Sequence, residues 1–328
     1  MAPTRRPRAG TPSWKNGLPA STSFPGTINA SDSELTRFQA WKTAARPHTL
    51  WASVAPVTVG TGLAVGDGAF RWDAFFMTLV VGIAIQVAAN FANDVSDAAR
   101  SADTPDRLGP RRMVSEGVIS SRQMWTATWA AVAVALAAGL YLILIAGWVL
   151  VWVGILSVLA MLTYVGGPWP YGYRGLGEPF VFVFFGLVAT VGTRFVHDAT
   201  ATTEAWVLAV PMGTLASAIL VANNLRDIET DERAGKRTLA VMMGEARSRT
   251  FYAVLVWVSF AVVGASAAVG LTPVATVATL GLAPFAIGPV RAVSAAARGA
   301  ALTGVLKSTS RLQMATALAL AVTTAAWG

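Results

Sequence analysis

Apolar runs long enough to cross a bilayer recur from residue 50 to the end of the chain, and they leave few folds open to it. They lie at roughly 50–65, 75–93, 124–146, 148–164, 179–195, 205–222, 251–271, 273–293 and 312–327, nine in all. In hydrocarbon a backbone amide must find its partner within its own segment, so such runs predict α-helices and an all-α, polytopic membrane protein. A soluble domain would have to bury all nine. With 328 residues, 54% hydrophobic and 13% charged, and a mean hydropathy of +0.55, the chain lacks the charged surface that would require. Gly147, and Thr272 with Pro273, are the thinnest separators, and each admits a second reading as a kink inside one long helix.

Residues 1–38 are rich in Pro, Ser, Thr and Arg without apolar periodicity, which predicts a disordered tail ahead of a membrane domain at 39–328. Arg5, Arg6 and Arg8 look like the start of a secretory signal, but no apolar core follows them. Phe38 to Ala45, with Trp41 and Lys42, reads as a short amphipathic helix at the headgroup level. If the N-terminus is cytoplasmic, only Arg71 and Arg194 of the 25 Lys and Arg residues fall on the outer side. This bias predicts a multi-pass protein of the cytoplasmic membrane, and basic loops on one side account for the net charge of +8 without a nucleic-acid partner. The absence of cysteine excludes disulfides, thiolate metal sites and a thiol nucleophile.

Two stretches crowd polar groups at the ends of apolar runs: Asn90 to Arg112 (NFANDVSDAARSADTPDRLGPRR) and Asn223 to Arg237 (NNLRDIETDERAGKR). Helical spacing puts Asn90, Asn93 or Asp94, and Asp97 on one side of the first, and Asn223, Asp227 and Asp231 on one side of the second. Two such clusters facing a common space repel unless a cation lies between them. Their hard oxygen ligands suit Mg²⁺, which binds through one or two carboxylates plus substrate phosphates. Arg107, Arg111, Arg112, Arg226, Lys236 and Arg237 lie beside them and can neutralise a diphosphate. Asp106, Glu229 and Glu232 read better as caps or ion-pair partners. The recurrence of NDVSD as RDIETD four spans later hints at an internal repeat.

A third stretch, Tyr164 to Gly186, opens with glycines and prolines that force a tight turn, and it carries Tyr164, Tyr171, Tyr173, Arg174 and Glu178. An interfacial aromatic belt would explain one tyrosine. Three of them on the side that holds the acids point instead to a pocket for a flat aromatic acceptor. A cation-coupled transporter is the rival of a different class, but its acids belong near mid-span in broken helices. A CDP-alcohol phosphotransferase would show DGxxAR…GxxxDxxxD on one stretch, which is missing.

Together, NDxxD at Asn93 to Asp97 followed by Asp103, and NNxRDxxxD at Asn223 to Asp231 followed by GKRTL at Gly235 to Leu239, resemble the UbiA superfamily of intramembrane aromatic prenyltransferases. RPHTL at Arg46 to Leu50, DTPDRLGPRR at Asp103 to Arg112 and GGPWPYGYRGLGE at Gly166 to Glu178 are similar to the branch that prenylates 1,4-dihydroxy-2-naphthoate. The resemblance runs from about residue 41 to the C-terminus. Ser101 stands where many members have a further Asp, and His48 where Lys is common. It implies a helical bundle around a central cavity open to the cytoplasm and laterally to lipid. It also implies Mg²⁺ on Asn90, Asp94, Asp97, Asp227 and Asp231, with the diphosphate of a polyprenyl donor on Asn93, Arg107, Arg112, Arg226, Lys236 and Arg237. The implied reaction joins the polyprenyl group to dihydroxynaphthoate, held by Tyr164, Tyr171, Tyr173 or Arg174, with loss of CO₂ and diphosphate. Another acceptor such as 4-hydroxybenzoate is the alternative within the superfamily.

Overall fold

The computed structural model describes residues 35–100 and 109–326. Residues 1–34 of the expected tail, and Asp103, Asp106 and Arg107, lie outside them. In chain order the helices are α1 (Arg37–Ala45), α2 (Trp51–Gly66), α3 (Trp72–Ala99), α4 (Ser121–Ala146), α5 (Val149–Thr163) and α6 (Gly177–Val181). A π-helical segment, Phe182–Val188, joins α6 to α7 (Ala189–Asp198), and α8 (Thr203–Arg226), α9 (Ile228–Arg233), α10 (Leu239–Met243) and α11 (Glu245–Ala268) follow. A 3₁₀ segment, Val274–Leu282, then leads into α12 (Ala283–Ser294), and α13 (Ala300–Ala325) closes the chain. Helix α1 begins within the segment 1–38. Its start is fixed by Thr36, which accepts from the Gln39 amide while the Gln39 side chain accepts from the Thr36 amide.

Every expected apolar run coincides with helix, and the described helices neither confirm nor exclude nine crossings. By length and apolarity six helical segments qualify as spans, or seven if α1 and α2, bent by 47°, count as one. Helix α5 is too short at 15 residues, and Lys307 and Arg311 interrupt the first half of α13. Both thin separators are real breaks. Gly147 ends α4 at φ 108°, a conformation that glycine adopts without strain, and Gly270 at φ 74° precedes the break at Pro273.

The bundle is tightened where small residues meet. A Cβ on Gly62 would lie 2.4 Å from the Ala321 Cα, and one on Gly186 would lie 2.6 Å from the Gly213 Cα, so α2 packs directly on α13 and the π-helical segment on α8. The largest buried cluster joins α8, α11, α12 and α13 through Leu215, Tyr252, Phe260, Val293 and Leu312. A smaller one seats α3 against α4 and α5 through Ala88, Val132 and Met161.

The two ends of the bundle differ. At one end the α3 and α8 C-termini meet the 164–178 turn and the start of α11. At the other, buried Arg194 binds Asp67 at 2.6 Å and Asp198 at 2.6 Å, and Tyr141 donates to Asp73 at 2.7 Å. There His197 Nδ1 accepts the Arg71 amide at 3.0 Å, a structural contact at the bundle boundary.

Candidate functional site

Near the C-terminus of α3 the helical repeat turns Asn90, Asp94 and Asp97 to the protein side, and all three are buried. Asn90 Nδ2 donates to Ala45 O and Thr49 Oγ1, each at 2.9 Å, tying α3 to the turn before α2. Its Oδ1 takes only a long 3.5 Å contact from Gln86. Asp94 accepts the amides of Met113 and Val114, each at 3.1 Å, and so anchors the chain before α4. Two contacts leave room on a carboxylate, which has about four lone-pair sites. Asp97 pairs with the buried guanidinium of Arg112 and accepts the Tyr173 hydroxyl at 3.1 Å.

The end of α8 and helix α9 supply the second set. Arg226 grips Asp227 through two nitrogens, at 2.8 and 2.6 Å, and also donates to Asn223 at 2.9 Å. Asp231 is buried and pairs with Lys236 at 3.5 Å. Lys236 and Arg237, with Glu232, Gly235, Val241 and Met242, line a cavity of about 300 Å³.

Tyr173 joins the sets. Its hydroxyl is on Asp97, while Lys236 Nζ and the Arg100 guanidinium each lie 5.4 Å from its ring centre. Burial first, then the charge of Asp97 and the hydrogen bond to it, push its phenol well above the ordinary range. Backbone contact reinforces the junction, since Arg174 and Arg237 form a parallel β-bridge. Tyr171 is buried, stacks on Phe180 at 4.0 Å and meets the Tyr164 ring edge-on at 5.3 Å, and burial raises its phenol too. The exposed Arg174 lies over Trp169, 5.2 Å from the ring centre.

All three sequence stretches therefore meet at one end of the bundle, with Tyr173 against Asp97 and Lys236 and with Tyr164 and Tyr171 packed on each other. Asn93 is half-buried and Arg237 exposed, and among the described residues no direct bond joins either to Asp94, Asp97, Asp227 or Asp231. Among the described residues, no three His, Asp or Glu side chains gather closely enough to enclose a metal. Two residues escaped the sequence reading. Arg100 donates to Val165 O at 3.0 Å and Gly167 O at 2.8 Å, clamping the turn to α3, and its only signal is its place one helical turn after Asp97. Asn224 faces inward and donates to Glu178 at 2.9 Å, a choice over Asn223 that depends on helix phase.

Comparison with known proteins agrees with this geometry. The pattern of the UbiA prenyltransferase family matches residues 53–302. The chain is 40% identical to the 1,4-dihydroxy-2-naphthoate octaprenyltransferase of Mycobacterium leprae, over 87% of this chain and 95% of that one. It is 37% identical to the Escherichia coli enzyme of the same name, over 69% and 75%. Among solved structures, an apo UbiA homolog from Aeropyrum pernix superposes with a TM-score of 0.63 at 17% identity, covering 84% of this chain and 96% of that one. One from Archaeoglobus fulgidus bound to DMAPP and Mg²⁺ gives 0.57 at 15%, covering 86% and 99%. The chain belongs to the UbiA prenyltransferase family, in the branch of its 1,4-dihydroxy-2-naphthoate octaprenyltransferase relatives.

Proposed function

We propose that this protein transfers a polyprenyl group from its diphosphate to 1,4-dihydroxy-2-naphthoate in an Mg²⁺-dependent reaction that releases CO₂ and diphosphate. The observation that carries this reading is Tyr173, which ties the acid of α3 to Lys236 beside the acid of α9 and stands next to an aromatic-lined turn. The names of the relatives supply the naphthoate and octaprenyl substrates, and the ligands of the Archaeoglobus homolog supply the pairing of prenyl diphosphate with Mg²⁺.

The donor set fits such an ion. Asp94 and Asp97 near the end of α3, and Asp227 and Asp231 after α8, are hard oxygen donors, and Mg²⁺ takes few protein carboxylates and completes its shell with phosphate and water. Asp94 and Asp97 on one side and Asp227 and Asp231 on the other would hold it, with Asn90 Oδ1 in reserve. Bound there, it would supply Lewis-acid stabilisation of the charge on the departing diphosphate.

The chain does the rest. Arg112, Arg226 and Lys236, now paired with acids, grip diphosphate oxygens alongside Arg237. Tyr173 holds Asp97 and steadies Lys236 through its ring. Tyr164 and Tyr171 present aromatic faces to the acceptor. As the allylic C–O bond breaks and its electron pair departs with the diphosphate, the ring carbon that carries the carboxylate forms the new C–C bond; CO₂ then leaves without the electrons of its bond to the ring, and that pair returns to the ring and restores aromaticity. No protein nucleophile takes part. The concentration of basic residues at this end, against Arg71 and Arg194 at the other, supports placing the site on the cytoplasmic face of the cell membrane.

The test uses purified protein with Mg²⁺, a labelled polyprenyl diphosphate and dihydroxynaphthoate, and 4-hydroxybenzoate as a parallel acceptor. Prenylated, decarboxylated naphthoate alone, lost with EDTA and with Asp94→Asn, is expected. Product from the benzoate alone would refute the acceptor assignment, and the absence of any Mg²⁺-dependent product would refute prenyl transfer.

A further inference from the structure

Glu178 is the second residue of α6, only 2% exposed, in the heart of the end that carries the site. Asn224 Nδ2 donates to its Oε1 at 2.9 Å, and Ser217 donates to its backbone carbonyl at 3.1 Å, so two residues of α8 fix the side chain at its base. Its other oxygen, Oε2, is buried and accepts or donates no hydrogen bond. Leaving a carboxyl oxygen buried and unpaired is costly, and a helix pair whose only purpose was packing would carry an apolar residue there.

What surrounds it is the acceptor side. A Cβ on the adjacent Gly177 would touch Tyr164 Cε2 at 3.5 Å and its hydroxyl at 3.7 Å, so the phenol end of Tyr164 abuts the start of α6. Glu178, Asp97 and Asp231 all act electrostatically on the Tyr164 hydroxyl, and Lys236 acts on Glu178. The residue therefore lies beside the Tyr164 ring, one position after Gly177, at the end of the bundle that carries both acidic sets.

We propose that Glu178 Oε2 hydrogen-bonds a ring hydroxyl of the aromatic acceptor and selects for acceptors that carry one at that position. This rests on the prenyl-transfer reading above and deepens it by naming the recognised group. Asn224 is a positioning residue here, since it reaches the acceptor only through Glu178. The contact favours a phenolic acceptor over an otherwise identical ring without the hydroxyl, because losing that partner returns Oε2 to its unpaired state.

The experiment compares wild-type protein with Glu178→Gln and Glu178→Asp, measuring KM for dihydroxynaphthoate and for polyprenyl diphosphate separately. It adds inhibition by two naphthoates, each with one ring hydroxyl methylated. Glu178→Gln keeps the shape and the acceptor for Asn224. Its KM for the naphthoate is expected to rise about 10- to 100-fold with the diphosphate KM unchanged, the range for a hydrogen bond to a charged group. Glu178→Asp, whose carboxyl is withdrawn by one methylene, should fall between. Wild-type protein should bind one methyl ether at least about tenfold more weakly than the other, and Glu178→Gln should lose that preference. An unchanged naphthoate KM in Glu178→Gln overturns the proposal. So does equal binding of the two ethers by wild-type protein, a result that needs no variant to fold. Failure of wild-type protein to prenylate the naphthoate at all would instead strike the underlying reading.

Discussion

Tyr173 offers the sharpest separation between a shared hub and an ordinary interfacial aromatic. Tyr173→Phe removes one group, the hydroxyl that donates to Asp97 at 3.1 Å, and keeps the ring under Arg100 and Lys236. A hydrogen bond to a charged acceptor contributes about 1.5–3 kcal/mol. Arg112 still holds Asp97, so the lower bound applies, and about 1.5 kcal/mol is roughly a tenfold loss in kcat/KM. Tyr173→Ala also withdraws the ring from two cations 5.4 Å away, each worth about 0.5–1 kcal/mol. Arg100 keeps its bonds to Val165 and Gly167, so the added loss falls on Lys236, and the alanine variant should stand about 30- to 70-fold below wild type. Initial rates with each substrate varied in turn locate the defect, which should appear in the prenyl diphosphate KM and in kcat. Wild-type kinetics in Tyr173→Phe, or a defect of Tyr173→Ala confined to the acceptor KM, would show that the hydroxyl and ring do not serve the diphosphate site.

Helix packing gives a matched pair: Gly62→Val drives side-chain atoms into the Ala321 backbone and should cost about 1–3 kcal/mol in thermal unfolding, whereas Gly139→Ala points into open space and should be neutral or slightly stabilising. The phenols of Tyr171 and Tyr173 ionise later in the folded protein than in the unfolded chain. Their contribution to stability is thus complete below about pH 10 and is lost as pH rises toward the folded values, and an absorbance titration should show fewer ionised phenols in native than in denatured protein at about pH 11. Because Arg112, Arg226 and Lys236 are paired with Asp97, Asp227 and Asp231, calorimetry should find that polyprenyl diphosphate and Mg²⁺ each bind more tightly when the other is present. Equal affinities in both orders would mean that the ion pairs persist with substrate bound.

How far the sequence reached depends on whether a feature is local. Apolar runs and the three-to-four spacing of Asn90, Asp94 and Asp97 are properties of one helix, and both carried through to buried, same-faced residues. The number of crossings was harder, since an apolar run does not say how long its helix will be, and α5 closes after 15 residues. Contacts closed by loops left no periodic trace: nothing in NDVSD says that Asp94 will hold the amides of Met113 and Val114, 19 and 20 residues further along the chain. The repulsion argument was right that the acids need cations, yet it left open which. In the structure Arg112, Arg226 and Lys236 already fill that need, each drawn from the same stretch as its acid. Three of the four buried carboxylates thus carry their countercharge within the fold, which lowers the cost of burying them. On the proposed reading, a diphosphate brings the anion to which those cations can turn, and the acids so released are the ones a divalent ion would take up. The ion pairs of the fold are then the same groups that make donor and metal depend on one another.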